Sequence, residues 1–401
     1  MEKIPTFFDN IFSYYYSCSE FLQSIIIILV ILLLLIIYTI LIKNFFLNQQ
    51  KINNNNNEIN NDIFSLMKNT PIIKIKSLSK LTGFNIYAKC EYFSYYSSKD
   101  RIIKGILLEA LNKKQINQDT NIYFASNNLS SYSLISICHL FGLNNITLVI
   151  PDSLPEKILK KLKQTKAKLI VTKNADFSNF SENYIRLCKK ISSEDKNNFF
   201  IDLYQNELNL VTNFEEFAPE FYSQLNSKID AFVCCANTGG TISGLSNYLK
   251  LKNKKCFVAL VDLEKSAMHS YIKEGVFYRQ EIKEEKKMVN DNYGKGNCFL
   301  NNNLRKAKID ECYLCKEEEI FFVIDYLKKN DGINIGFNEG MNLVGILKMI
   351  KDKRNIFGKK GNMNVNIGTV FFDDGSHDCD RVKGYNCENN IYIKNIEDIY
   401  K

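Results

Sequence analysis

Histidine is scarce in this 401-residue chain: there are three, His139, His269 and His377, and no two share a metal-ligand spacing. No arginine-rich stripe appears, and the aromatics are not set out as base-stacking pairs. The net charge of +8 comes from lysines spread along the sequence, often beside asparagines, which reads as a solvated surface and argues against a nucleic-acid partner. The twelve cysteines have no knot-like spacing. Several, such as Cys90, Cys234, Cys235 and Cys256, fall in apolar runs, where a free thiol is a small core side chain and the compartment is reducing. The CxxC at Cys312–Cys315 lacks further ligands, so these are structural thiols and no metal is expected. Neither GxGxxG nor GxxxxGK[ST] occurs, which removes the dinucleotide and P-loop readings. No internal repeat is present.

One long stretch lacks charge altogether. Ile25 to Ile42 reads IIIILVILLLLIIYTILI, and about 20 apolar residues at about 1.5 Å per helical residue match a bilayer core. It has no polar stripe and no cleavage-type small residues, so residues 21–43 are expected to be a single transmembrane anchor. Lys43 and Lys51 downstream, against Glu2, Asp9 and Glu20 upstream, place the C-terminal part in the cytosol. Used instead as an uncleaved import signal, the segment would put that part in a lumen or a plastid-like organelle. Residues 44–62, including NQQKINNNNNEINND, read as an asparagine-rich linker.

From Ile63 onward, short solid strands alternate with amphipathic helices: NIYAKCEYF, TNIYFAS, ITLVIP, AKLIVT, AFVCCA, CFVALVD and GTVFFDDG supply the strands. That succession predicts an α/β fold with parallel sheets covered on both faces. Two motifs carry chemistry. In EYFSYYSSKDR a run of aromatics and hydroxyls ends in Lys99 at a helix start. In CCANTGGTISG a strand ends and Thr238-Gly239-Gly240-Thr241 opens a helix. There, glycines let backbone approach an anion and free amides favour negative charge.

Taken together, these motifs resemble the fold-type-II pyridoxal-phosphate enzymes, most closely cysteine synthase and cystathionine β-synthase. NTPIIKI (Asn69–Ile75) is similar to the family's N-T-P-L-V-R-L, and AKCEYFSYYSSKDR to its lysine motif. YFASNNLS stands where the family has E-P-T-S-G-N-T-G, and CANTGGTISG is similar to G-x-G-T-G-G-T-I-x-G. DGINIGFNEG and TVFFDDGSHD follow the later motifs. The resemblance covers about Asn69 to Asp380. It implies a two-lobed domain over residues 63–385, with a mobile lobe at about 93–203, and leaves 386–401 as a tail.

The resemblance further implies that Lys99 binds pyridoxal 5′-phosphate and moves the substrate's α-proton. Asn128 would contact the cofactor ring oxygen, and Thr238, Gly239, Gly240 and Thr241 would hold its phosphate. Ser126 and Asn127 would meet the substrate. The implied activity is β-replacement through an aminoacrylate, forming cysteine from O-acetylserine or serine and sulfide, in a homodimer. The departures matter as well. The family's N-P-G-G is here Ser94-Tyr95-Tyr96-Ser97, its T-S-G-N-T is Ala125–Leu129, and its S-S-G is Asn338-Glu339-Gly340. Asp374 is expected to face the pyridine nitrogen where the family has serine. A catalytically degenerate cofactor-binding protein, or a membrane-tethered scaffold, is the other reading. The charged insert at residues 274–293 has no legible purpose.

Overall fold

The computed structural model describes residues 19–54, 62–152, 154, 156–172, 184–264, 266–276, 300–357, 364–376 and 396–400. The chain divides into two units, Met1–Asn61 and Asp62–Lys401. In the first, helix α1 (Glu20–Asn54) extends well past the expected end of the apolar segment and takes up much of the predicted linker. Among the described residues it is the one helix long and apolar enough to cross a membrane, with a mean hydropathy of 2.9 over Leu22–Thr39.

The second unit is built on two sheets. The larger, in the order β1-β2-β10-β7-β8-β9, comprises β1 (Ile72–Lys74), β2 (Asn85–Cys90), β7 (Ala231–Cys235), β8 (Phe257–Leu263), β9 (Glu311–Cys315) and β10 (Asn366–Phe371). Only β1 runs antiparallel to its neighbour. The smaller, in the order β5-β4-β3-β6, comprises β3 (Asn121–Ala125), β4 (Ile146–Pro151), β5 (Lys168–Thr172) and β6 (Asn198–Ile201), all parallel. Strands β4 and β7 are buried along their whole length, because a parallel sheet carries helices on both faces. Both sheets thus confirm the predicted α/β class.

Each sheet has its own core. Helices α2 (Asp100–Asn112) and α3 (Ser130–Leu140) close the smaller one through Ile103, Leu107, Leu134 and Ile137. Met67 and Phe64 of the turn Ile63–Met67 join that core, although the sequence reading assigned this segment to the other lobe. Helices α4 (Glu317–Asp331) and α5 (Phe337–Phe357) cover one face of the larger sheet. Ile396 and Ile399, three residues apart beside a last helical turn (Glu397–Tyr400), are buried in the same core. The expected C-terminal tail therefore ends as a packed element. Cys312 and Cys315 enter cores on opposite faces of β9, since positions three apart on a strand point opposite ways. Both thiols are structural.

Strands β7 and β10 pair only through Ile367–Ala231 and Gly368–Phe232. Beyond that, side chains take over. Asn342 of α5 accepts from Cys235 N at 2.6 Å and donates to Val370 O at 2.9 Å, while Thr369 Oγ1 donates to Val233 O at 2.7 Å. The two strands therefore part toward their carboxyl ends, where open α/β sheets place their ligands.

Candidate active site

The loop after β2 leads to Lys99, which stands just before the first residue of α2. Its Nζ lies 5.4 Å from the centre of the Phe372 ring. Burial pushes the amine below its ordinary value of 10.5, while Cys234, Cys235 and Glu91 pull the other way. Neutral lysine is the form that attacks a carbonyl carbon. Lys99 lines a cleft together with Ser126, Asn127, Asn128, Thr238, Asn237, Asp202, Tyr184 and Tyr204.

Asn237 and Thr238 of that lining belong to the turn between β7 and helix α6 (Gly240–Lys252). Gly239 has φ +76°, a left-handed conformation that suits glycine. A Cβ on Gly240 would meet Asn209 Oδ1 at 1.9 Å. Asn209 is fully buried behind the turn and donates to Thr238 Oγ1 at 3.0 Å and to Leu203 O at 2.8 Å. Asn301 donates to Asn237 O at 3.0 Å, and Tyr204 OH donates to Asn237 Oδ1 at 3.1 Å. Burial moves the Tyr204 hydroxyl up to about 12, so it stays a donor at neutral pH. These side chains brace the turn from behind and leave the first amides of α6 for an anion.

The turn after β3 carries the predicted substrate and ring contacts. Asn128 Oδ1 accepts from Ser130 N at 3.0 Å, which fixes the side chain and turns the donor Nδ2 to other use. Ser126 Oγ donates to Asn128 O at 3.1 Å and lies 3.0 Å from Ser130 Oγ. Its hydroxyl is thus engaged within its own loop.

The last motifs supply two acidic residues, Asp374 and Glu339. Asp374 is exposed in the turn after β10, where its Oδ1 accepts from Ser376 N at 2.9 Å, and it lies outside the cleft lining. Phe372 is the residue of that segment that reaches Lys99. Glu339 is fully buried and accepts from Phe372 N at 2.8 Å, so it anchors the end of β10.

Sequence reasoning passed over a buried charge network just beneath Lys99. Arg101 donates to Glu220 at 2.7 and 2.9 Å and to Glu91 at 3.2 Å, and Lys89 bonds the same Glu220 and Thr70 O. Two cations and two carboxylates from separate segments balance, which is what makes their burial tolerable. The one available signal was lysine, aspartate and arginine in succession at a helix start.

The comparisons agree with this geometry. Residues 63–361 match the family model "Pyridoxal-phosphate dependent enzyme". The chain is 28% identical over 347 residues to a cysteine synthase of Dictyostelium discoideum, covering 85% of this chain and 89% of that one. It is 28% identical over 302 residues to a putative mitochondrial cysteine synthase of Saccharomyces cerevisiae, covering 71% and 76%. The fold is similar to that of a hydrogen sulfide-producing enzyme from Fusobacterium nucleatum, with a TM-score of 0.66, 22% identity and coverage of 80% and 99%. It is also similar to an O-acetylserine dependent cystathionine β-synthase from Helicobacter pylori, with a TM-score of 0.65, 20% identity and coverage of 84% and 100%. With Lys99 lining one cleft together with Asn237 and Thr238, the residues that lead into the braced glycine turn, and the family match spanning most of its length, the chain belongs to the pyridoxal-phosphate dependent enzymes.

Proposed function

We propose that this protein is a cysteine-synthase-like enzyme that forms cysteine from O-acetylserine, or serine, and sulfide by β-replacement. The observation that carries the proposal is Lys99, its amine desolvated, in the same cleft as Thr238, Asn128 and Ser126. The residues fit the cofactor, because the cradle holds two glycines whose added Cβ atoms would strike Asn301 or Asn209. When bound, pyridoxal phosphate supplies an electron sink for charge developing beside an amino group.

The chain's own groups divide the remaining work. The amides from Gly239 to Thr241 and the hydroxyls of Thr238 and Thr241 bind the phosphate. Asn128 orients the cofactor ring through Nδ2. Lys99 Nζ takes the α-proton and holds it until product formation, a role that suits an amine whose proton affinity is already reduced. Asn127 and Ser126 bind the substrate, and Phe372 keeps water from one side of the amine.

A second reading, a cofactor binder without turnover, gains support from the engagement of Ser126 within its own loop. Adding O-acetylserine, then sulfide, to the cofactor-loaded protein tests the two. A spectral change on the first addition and cysteine release after the second are expected. No change with O-acetylserine, serine or cysteine would end the cysteine-synthase assignment. We further propose that α1 anchors the protein in a membrane with its enzymatic part in the cytosol, and that the protein is a homodimer. Protease protection in sealed membranes would show the enzymatic part digested. Its protection would favour the import alternative.

A further inference from the structure

The loop Ser94–Ser98 has lost the proline and glycines that would shape it, yet it must deliver Lys99 to the cleft. Its shape comes from one carboxylate. Asp100 is fully buried, and its oxygens accept from Ser94 Oγ at 2.8 Å, Tyr96 N at 2.8 Å, Ser97 N at 3.0 Å and Ser133 Oγ at 2.5 Å. No cation among the described residues forms an ion pair with it, and burial raises its carboxyl above the usual range. Leaving a carboxylate in such a place is costly, so the four donors and the start of α2 behind it must hold it there.

The fourth donor comes from elsewhere. Ser133 is fully buried on α3, the helix that continues from Ser126–Asn128. Its Oγ also lies 2.5 Å from Ser97 Oγ, which in turn accepts from Lys99 N at 3.1 Å. Asp100 is therefore the common acceptor for the lysine loop and for the helix that carries the substrate turn. We propose that Asp100 is a positioning residue, which sets Lys99 in the cleft and, through Ser133, locks the lysine to the substrate turn. This rests on the reading above only in taking Lys99 as the cofactor-bearing amine.

The test uses the full chain as apoprotein. Pyridoxal phosphate is added across a pH series, the product is reduced with borohydride, and labelling of Lys99 is quantified by peptide mass spectrometry. Melting temperature is recorded alongside. Wild type is expected to label at Lys99 with a midpoint below 10.5, because burial lowers the amine. Asp100→Asn sets an amide donor against backbone N–H groups and is expected to slow labelling about tenfold, within what a small misplacement costs. Ser133→Ala is expected to slow it about threefold, and Ser133→Thr to restore it. In both slowed variants the midpoint moves up, since a loosened loop admits water to Nζ while Glu91, Cys234 and Cys235 still face it.

Normal rate and midpoint in Ser133→Ala would overturn the proposal. So would a midpoint that falls in Asp100→Asn, which would mark a direct charge effect. If Asp100→Asn does not fold, Ser133→Ala decides alone, because it removes one hydroxyl and no charge. Failure of wild type to label at Lys99 would instead sink the cofactor role of that lysine, and this proposal with it.

Discussion

The turns after β7 and after β3 have the same architecture, a parallel strand passing into a helix at the carboxyl edge of its sheet, but they handle polar groups in opposite ways. After β7, Asn209, Asn301 and Tyr204 come from other segments to brace the chain, so the amides of the turn itself remain for a ligand. After β3, Ser126, Asn128 and Ser130 bond one another. A turn supported from outside can be rigid and open at once, whereas one that supports itself spends the groups a ligand would need. Under the proposed function, the first would hold a fixed anion and the second a guest that must displace something. This contrast fits a cofactor cradle that keeps the family's pattern beside a substrate loop that departs from it.

The sharpest way to break the contrast is Gly240→Ala. Its Cβ would fall 1.9 Å from Asn209 Oδ1 and within 2.7 Å of Asn209 Nδ2, so the brace must move off Thr238. Overpacking of this kind costs about 1–3 kcal/mol of stability. The cofactor affinity should fall by about two orders of magnitude, since cradle and brace fail together. Titration with pyridoxal phosphate measures this, and affinity within a few-fold of wild type would show that the external brace is not what holds the turn.

Next in size is the pH dependence tied to Lys99. Its folded amine binds a proton less readily than an unfolded lysine at 10.5. The unfolded state therefore binds more protons, and stability rises with pH through the window below 10.5. Lys99→Met removes that contribution. The stability gap between variant and wild type should be widest, in favour of the variant, at neutral pH and narrow as pH approaches 10. Urea unfolding at several pH values reads it, and a gap that widens with pH would mean that Lys99 is charged in the fold.

How much of this was legible follows the same division. Thr238–Thr241 and Lys99 could be singled out in the sequence because the chemistry proposed for them sits in a few consecutive residues. Asn209 and Asn301 were not, since they reach the turn from 29 and 64 residues away and look like any other asparagine in an asparagine-rich chain. Strands β2, β3, β4, β5, β7, β8 and β10 were visible as apolar runs, whereas β1 and β6 are too short to show one. The burial of Ile396 and Ile399 was hidden because one turn of helix has no period to read. That Asp374 is exposed and bonded to Ser376 N was not legible, because a motif fixes order along the chain but not which way an exposed turn points.

The smallest expected effect probes the self-supporting turn directly. Ser126→Ala deletes a hydroxyl that bridges Asn128 O and Ser130 Oγ. Both partners keep other options, so the cost is about 0.5–1.5 kcal/mol, that of one ordinary hydrogen bond. Cofactor affinity should stay within about twofold, because Asn128 Oδ1 is still fixed by Ser130 N and the braced turn is untouched. The KM for O-acetylserine should rise while kcat changes little, the pattern of a group that binds substrate and transition state alike. If affinity for pyridoxal phosphate fell as far as in Gly240→Ala, the two turns would be one mechanical unit, and the division between an externally braced cradle and a self-bonded substrate loop would be wrong.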